Sequence, residues 1–169
     1  MNSLTNLFNQ AQQSNFRRFV LNQVLAKTIP FNKPHGFKIA SITDSGIQTF
    51  LPYKKVNLNH IKGMHACALA TLSEFTCGVQ LIRMINPKEY RIILQKLEME
   101  YHYQAKTAVT LDFDLSKEKI DTDIIQPLTK EDKIVRIFKL TTKNAEGIDI
   151  CTATVHWQIK AWKNVKTKV

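Results

Sequence analysis

Over the first 28 positions apolar residues recur at helical spacing, with Leu4, Leu7, Phe8 and Ala11 followed by Phe16, Phe19, Val20 and Val24. This predicts one or two amphipathic helices. Pro30 and Pro34 stop any continuation, because proline lacks the amide and clashes with the preceding turn. From Phe37 the period becomes that of extended chain. FKIASIT and IQTFLPYKKVNL flank Asp44, Ser45 and Gly46, a polar turn whose glycine can take positive φ, which predicts a hairpin. Pro52 predicts that the second strand lies at an edge or carries a bulge. The stretch from His65 to about Met84 has no proline, and its only formal charges are Glu74 and Arg83. Being apolar almost all round, it predicts a central buried helix.

After Pro87 the chain reads as strands. In YRIILQKLEMEYHY, Ile93, Leu97, Met99, Tyr101 and Tyr103 fall on one face and Lys96, Glu98, Glu100 and His102 on the other, the alternation of a half-exposed antiparallel strand. Val109, Leu111, Phe113 and Leu115 repeat it against Asp112 and Asp114. KIVRIFKLTTK and IDICTATVHWQIKAW, separated by Asn144 to Gly147, predict a last hairpin that buries Cys151, Ala153, Val155, Trp157 and Ile159. The expected class is α+β, one long central helix packed across an antiparallel sheet, with an N-terminal helical extension. With no repeat and no Gly/Ser-rich linker, residues 1–169 read as a single domain: extension 1–33, core 34–162 and basic tail 163–169.

The composition fits such a domain, since 44% of the 169 residues are hydrophobic and 22% charged, enough to bury a core. A formal charge of +10, from 24 basic and 14 acidic side chains, favours anionic partners: nucleic acid, an acidic lipid surface or nucleotide phosphates. The bases are scattered, densest at Lys54 and Lys55, at Arg17 and Arg18, and in the tail at Lys160, Lys163, Lys166 and Lys168. No aromatic platform interleaves them, which argues against nucleic acid. Cys67, Cys77 and Cys151 are odd in number and lack C-x-x-C spacing, so they predict buried thiols in a reducing compartment rather than disulfides or a zinc site. No apolar run approaches the roughly 20 residues of a membrane span. The opening residues also lack the charged start and apolar middle of a secretory signal. A cytoplasmic protein without a transmembrane segment is expected.

The chemistry concentrates between Asn59 and Gly78, NHIKGMHACALATLSEFTCG. A strand ending near Asn59, a turn at Gly63 and a helix beginning at His65 or Ala66 would leave free N–H groups at the positive end of the helix dipole, able to polarise a carbonyl. Nine positions after His65 comes Glu74, whose burial would cost several kcal/mol unless it were paired, protonated or open to a cleft. Cys67, Thr71, Glu74 and Gly78 share one helical face. That stripe is either a groove or simply where the helix meets solvent or a partner chain. Local chemistry also allows Asn59 to be an ordinary turn residue and His65 a helix cap or a core histidine. Cys77 could approach the same cleft, although no activating base is evident.

Asn59, Gly63, His65, two small residues and the acid at Glu74 resemble the signature of the phenylacetyl-CoA and 4-hydroxybenzoyl-CoA thioesterase groups of the hotdog superfamily, within which the wording M-H-A-x-A-L and the glutamate resemble an uncharacterised bacterial branch. The resemblance spans about Pro34 to Trp162 and implies the hotdog fold. It also implies an acyl-CoA thioesterase in which Glu74 attacks the thioester or activates water, while helix-start amides hold the oxyanion. Asn59 would lie near the thioester or its water, and His65 would orient the turn or touch the carbonyl. Ala66 and Cys67 stand where the family has paired glycines, so a methyl and a thiomethyl group narrow the approach to their amides. Gly63 and Thr71 would complete the substrate-binding set. Lys54, Lys55 and Lys62 are the candidates for the coenzyme A phosphates. No cofactor is implied beyond the coenzyme A of the substrate, and no metal. The resemblance further implies a homo-oligomer, a dimer or a dimer of dimers, with Glu74 of one subunit facing Asn59 and the helix start of the other.

Two other readings remain. A non-catalytic acyl-CoA- or lipid-binding protein of the same fold is favoured by Ala66 and Cys67, and by a tunnel that Phe75, Val79 and Tyr101 could line. A protein of nucleic acid or membrane surfaces is favoured by the charge and the amphipathic N-terminus. The first would not need Glu74 to bind its ligand, and the second would show steep salt dependence.

Overall fold

A computed structural model of the chain describes residues 3–166. The far end of the expected basic tail, Lys168 included, lies outside them. The N-terminal extension forms two helices, α1 (Ser3–Gln13) and α2 (Asn15–Thr28), separated where the Ser14 hydroxyl caps α2 by accepting from Arg17 N–H. The hairpin follows as β1 (Lys38–Ile42) and β2 (Gly46–Leu51), then the long helix α3 (Ala66–Met84) and strand β3 (Tyr90–Tyr101). Strand β4 (Val109–Asp114) leads into a short helical stretch, α4 (Lys117–Ile120), a π turn (Asp121–Ile125) and α5 (Gln126–Leu128), and the last hairpin is β5 (Lys133–Asn144) with β6 (Asp149–Ala161).

The strands form one antiparallel sheet in the order β1-β2-β4-β5-β6-β3, curled about α3, which touches β2, β3, β4, β5 and β6. The central helix wrapped by a sheet is thus the arrangement its apolar circumference requires. Leu72, Cys77 and Leu81 are wholly buried and Leu69, Phe75 and Val79 nearly so. Each large side chain buried in this way contributes about 1.5–3 kcal/mol. The inward residues of β6, Cys151, Ala153, Val155, Trp157 and Ile159, are buried as the alternation demands, and so are Val109, Leu111, Phe113 and Leu115.

Several expectations need correction. Strand β2 is not an edge: it lies between β1 and β4 and stops at Leu51, so Pro52 ends the strand where its missing amide costs no ladder bond. From there to Met64 the chain is a loop with one short 3-10 turn, so no strand ends near Asn59. Gly46 does not take positive φ. It is needed for space, since a Cβ there would stand 2.1 Å from the Asp114 Oδ1. In β3 the register slips between Leu94 and Lys96, opposite Trp157 and His156. The extra residue, Gln95, reverses the phase, and Ile93 points outward, 44% exposed, while Ile92 and Leu94 join Leu97 and Met99 against the core. The stretch at 117–128, within the part of the chain that reads as strands, is helical. On the polar face of β3, His102 Nε2 lies 2.8 Å from the Thr152 hydroxyl.

The two sheet edges are treated differently. Along β1, the Asn22 side chain of α2 both donates to Ile39 O at 3.0 Å and accepts from Ile39 N–H at 2.8 Å, blunting the edge. The outer side of β3, twelve residues long, pairs with no strand among the described residues.

Candidate functional site

The loop before α3 is held by a residue that periodicity does not mark. Asn57 is wholly buried. Its Nδ2 donates to His35 O and Pro52 O, both at 2.9 Å, its Oδ1 lies 2.9 Å from His35 Nδ1, and its carbonyl accepts from His65 N–H at 2.7 Å. One residue, through its side-chain amide and its backbone carbonyl, thereby pins the segment after helix α2, the end of β2 and the start of α3. The only advance signal was its position in a loop that must turn back on itself.

Asn59 serves its own turn, its Oδ1 accepting from Ile61 N–H at 3.1 Å and Gly63 N–H at 2.9 Å. Lys62 within that turn takes φ 58°, and the Tyr53 hydroxyl donates to its carbonyl. Gly63 is buried under the Gln104 side chain, which leaves no room for a Cβ. The lysines proposed for phosphate all belong to this loop: Lys55 and Lys62 are exposed, and the half-buried Lys54 lies over Gly36.

His65 caps α3, its Nδ1 accepting from Cys67 N–H at 3.1 Å. The cap consumes one of the two amides expected to hold an oxyanion, whereas the Ala66 N–H has no acceptor among the described residues. Because Nδ1 accepts, a neutral His65 carries its proton on Nε2. The Tyr101 hydroxyl donates to Ala66 O at 3.0 Å. Cys67 is exposed rather than buried, on the first turn of α3 where His65, Ala66 and Cys67 are all exposed. One turn further, the Thr71 hydroxyl donates to Cys67 O at 2.8 Å.

Glu74 lies about 12 Å along the helix axis from Ala66 at 1.5 Å per residue, on the wall of a different depression. That groove, about 560 Å³, runs between α3 and the Tyr90–Leu94 end of β3 and is closed by Trp157 and Trp162. Its surface is mainly aliphatic and aromatic, and Phe75, Gly78 and Val79 line it beside the glutamate. Gly78 makes the groove possible: a methyl there would stand 3.1 Å from the Trp157 ring and 3.7 Å from the Glu74 Oε1. The Glu74 carboxyl accepts no hydrogen bond and joins no ion pair among the described residues. Burial pushes its pKa above the ordinary carboxylate range. Cys77, just behind it, is wholly buried. Burial, with a smaller push from Glu74, drives its thiol far up despite the nearby Trp157 indole, which suits packing and not attack.

Within one chain, then, Asn59, Gly63, His65, Ala66 and Cys67 gather at the helix start and Thr71 follows, while Glu74 looks into the apolar groove. Tyr101 belongs to the helix-start depression with Asn59 and Ala66, away from Phe75 and Val79. The groove's Tyr90, Trp157 and Trp162 escaped the sequence reading because strand alternation labels such residues as core. Among the described residues no cluster of metal-ligating side chains occurs, and no helix is long and apolar enough to cross a membrane.

A family model described as a domain of unknown function, DUF4442, matches residues 17–159. No curated protein matches the chain in sequence. Among solved structures, a Pseudomonas aeruginosa protein described as a probable thioesterase superposes with a TM-score of 0.77 at 18% identity, over 83% of this chain and 93% of its own. A Haemophilus influenzae thioesterase gives 0.64 at 10%, over 83% and 88%. A thioesterase of Staphylococcus aureus, solved as variants with a glutamine or a glutamate replaced by alanine, gives 0.61 at 14%, over 78% and 98%. The fold is the hotdog fold these structures share.

Proposed function

The chain belongs to the DUF4442 family, and from that premise we propose that it hydrolyses acyl-CoA thioesters, with Glu74 as nucleophile or general base. The observation that carries this reading is a carboxylate without a hydrogen-bond partner, its pKa raised by burial, on the wall of an apolar groove. Such a group is costly to keep, and a raised pKa makes it a better proton acceptor than an ordinary carboxylate. The groove accepts the acyl chain. The Ala66 N–H and the His65 Nε2–H are the donors for the thioester carbonyl, and Asn59 shapes the turn beneath them. Lys54, Lys55 and Lys62 receive the coenzyme A phosphates, with Arg91, the one cation lining the groove among the described residues, beside the acyl end. The S. aureus relative supports the pairing of Asn59 with Glu74, because its two substituted residues are separated by the same interval as these.

The 12 Å between Glu74 and its own helix start implies a second copy. Antiparallel pairing of two β3 edges about a two-fold axis sets the Tyr90–Leu94 end of one strand against the Tyr101 end of the other. Glu74 of one chain then approaches the helix start of its partner. A homodimer, or a dimer of dimers, is the active form.

Thiol release from short, medium, long and aromatic acyl-CoAs tests the proposal: Glu74→Gln should lose on the order of 10²–10⁴ in turnover with oligomer size retained. The capture of Cys67 N–H by His65 favours a second reading, a non-catalytic acyl-CoA binder. That reading expects no turnover from the native chain and unchanged ligand affinity in the same variant.

A further inference from the structure

The N-terminal helices carry a surface the thioesterase reading does not use. Helix α2 is apolar on both sides. Leu21 and Leu25 face inward and are buried, and Asn22 clamps β1. On the opposite face, at successive helical positions, lie Phe16 and Phe19, 69% and 58% exposed, with Val20, Val24 and the exposed Lys27. Large aromatics held in water cost free energy, and a helix anchored through one face has no structural need of them on the other. The ionisable side chains of the N-terminal segment itself are of one sign. The chain has no aspartate or glutamate before Asp44, whereas Arg17, Arg18, Lys27, Lys33 and Lys38 all precede it.

We propose that the outer face of α2 docks the protein on an anionic lipid bilayer, Phe16 and Phe19 entering the headgroup boundary while Arg17, Lys27 and Lys33 engage lipid phosphates. Exposed aromatics flanked by cations on a helix lying along the molecule are what an interfacial helix needs. The charge also selects the occupant: a second copy of this chain meeting the face about a two-fold axis would bring the cations of α2 against one another, and α2 carries no acid of its own. The face adjoins the groove, because Ile29, just after α2, forms part of the wall that also holds Glu74. A bound protein would hold its apolar groove near the bilayer.

The test is co-sedimentation of the full chain with vesicles of phosphatidylcholine alone and of equimolar phosphatidylcholine and phosphatidylglycerol. Binding to the anionic vesicles only, weakening with salt, is expected. Phe16→Ser with Phe19→Ser should weaken it on the order of tenfold per residue. Arg17→Gln with Lys27→Gln should weaken it about fivefold per base, and this pair decides the matter should the phenylalanine variant fail to fold. Equal binding to both vesicle types, binding to neither, or native affinity in the variants would overturn the proposal. So would a drop in oligomer size on replacing the phenylalanines, which would make the face a contact between copies.

Discussion

The start of α3 and its middle treat polar groups in opposite ways. At its start the polar side chains are spent on the local structure: Asn57 on the backbone at His35 and Pro52, Asn59 on its turn, His65 on the cap. At Glu74, two turns on, a carboxyl stands in apolar surroundings with no partner. Folding explains the first completely and the second not at all, and a half-buried polar group that folding leaves without a partner is where function is to be sought.

The largest stability effect should come from the satisfied end. Asn57→Ala strands the His35 ring and two buried carbonyls and should cost about 3 kcal/mol in urea unfolding. In the groove, Gly78→Leu drives a side chain into the Trp157 ring; a loss of about 2 kcal/mol is expected, together with loss of long-chain acyl-CoA turnover. His65→Ala removes the cap and should cost about 1 kcal/mol, most of it recovered by His65→Asn.

Glu74→Gln should move stability the other way. The folded state raises the Glu74 pKa, so it binds the proton more tightly than the unfolded chain does. The native protein is therefore at its best relative to the variant below the ordinary carboxylate pKa and loses ground as pH rises through the raised value. Thermal unfolding of the two should coincide in acid and diverge at neutral pH, with the variant the more stable. Equal melting at every pH would mean that Glu74 is hydrated and unperturbed.

The same contrast explains what the sequence made legible. Helix α3 and the strands of the last hairpin were plain because burial on all sides, or on alternate sides, leaves a periodic trace. The bulge at Gln95 was not, since an inserted residue changes phase without changing composition, and Ile93 was assigned inward. The helical stretch at 117–128 was missed although Ile120, Ile124 and Leu128 recur every fourth position behind the cap at Ser116. Charged neighbours and Pro127 obscured them. Glu74 stood out because a charge in an apolar helix is anomalous, whereas Asn57 looked like any loop asparagine. The capture of Cys67 N–H depended on the His65 rotamer, which no spacing encodes.

The measurement closest to the central claim is the pH dependence of thiol release from a turned-over acyl-CoA by the native chain and by Glu74→Gln. The account predicts a native rate that rises with pH through a single ionisation above the ordinary carboxylate range, and a variant slower by orders of magnitude without that rise. A variant that keeps the native rate and profile would contradict it and remove Glu74 from the chemistry.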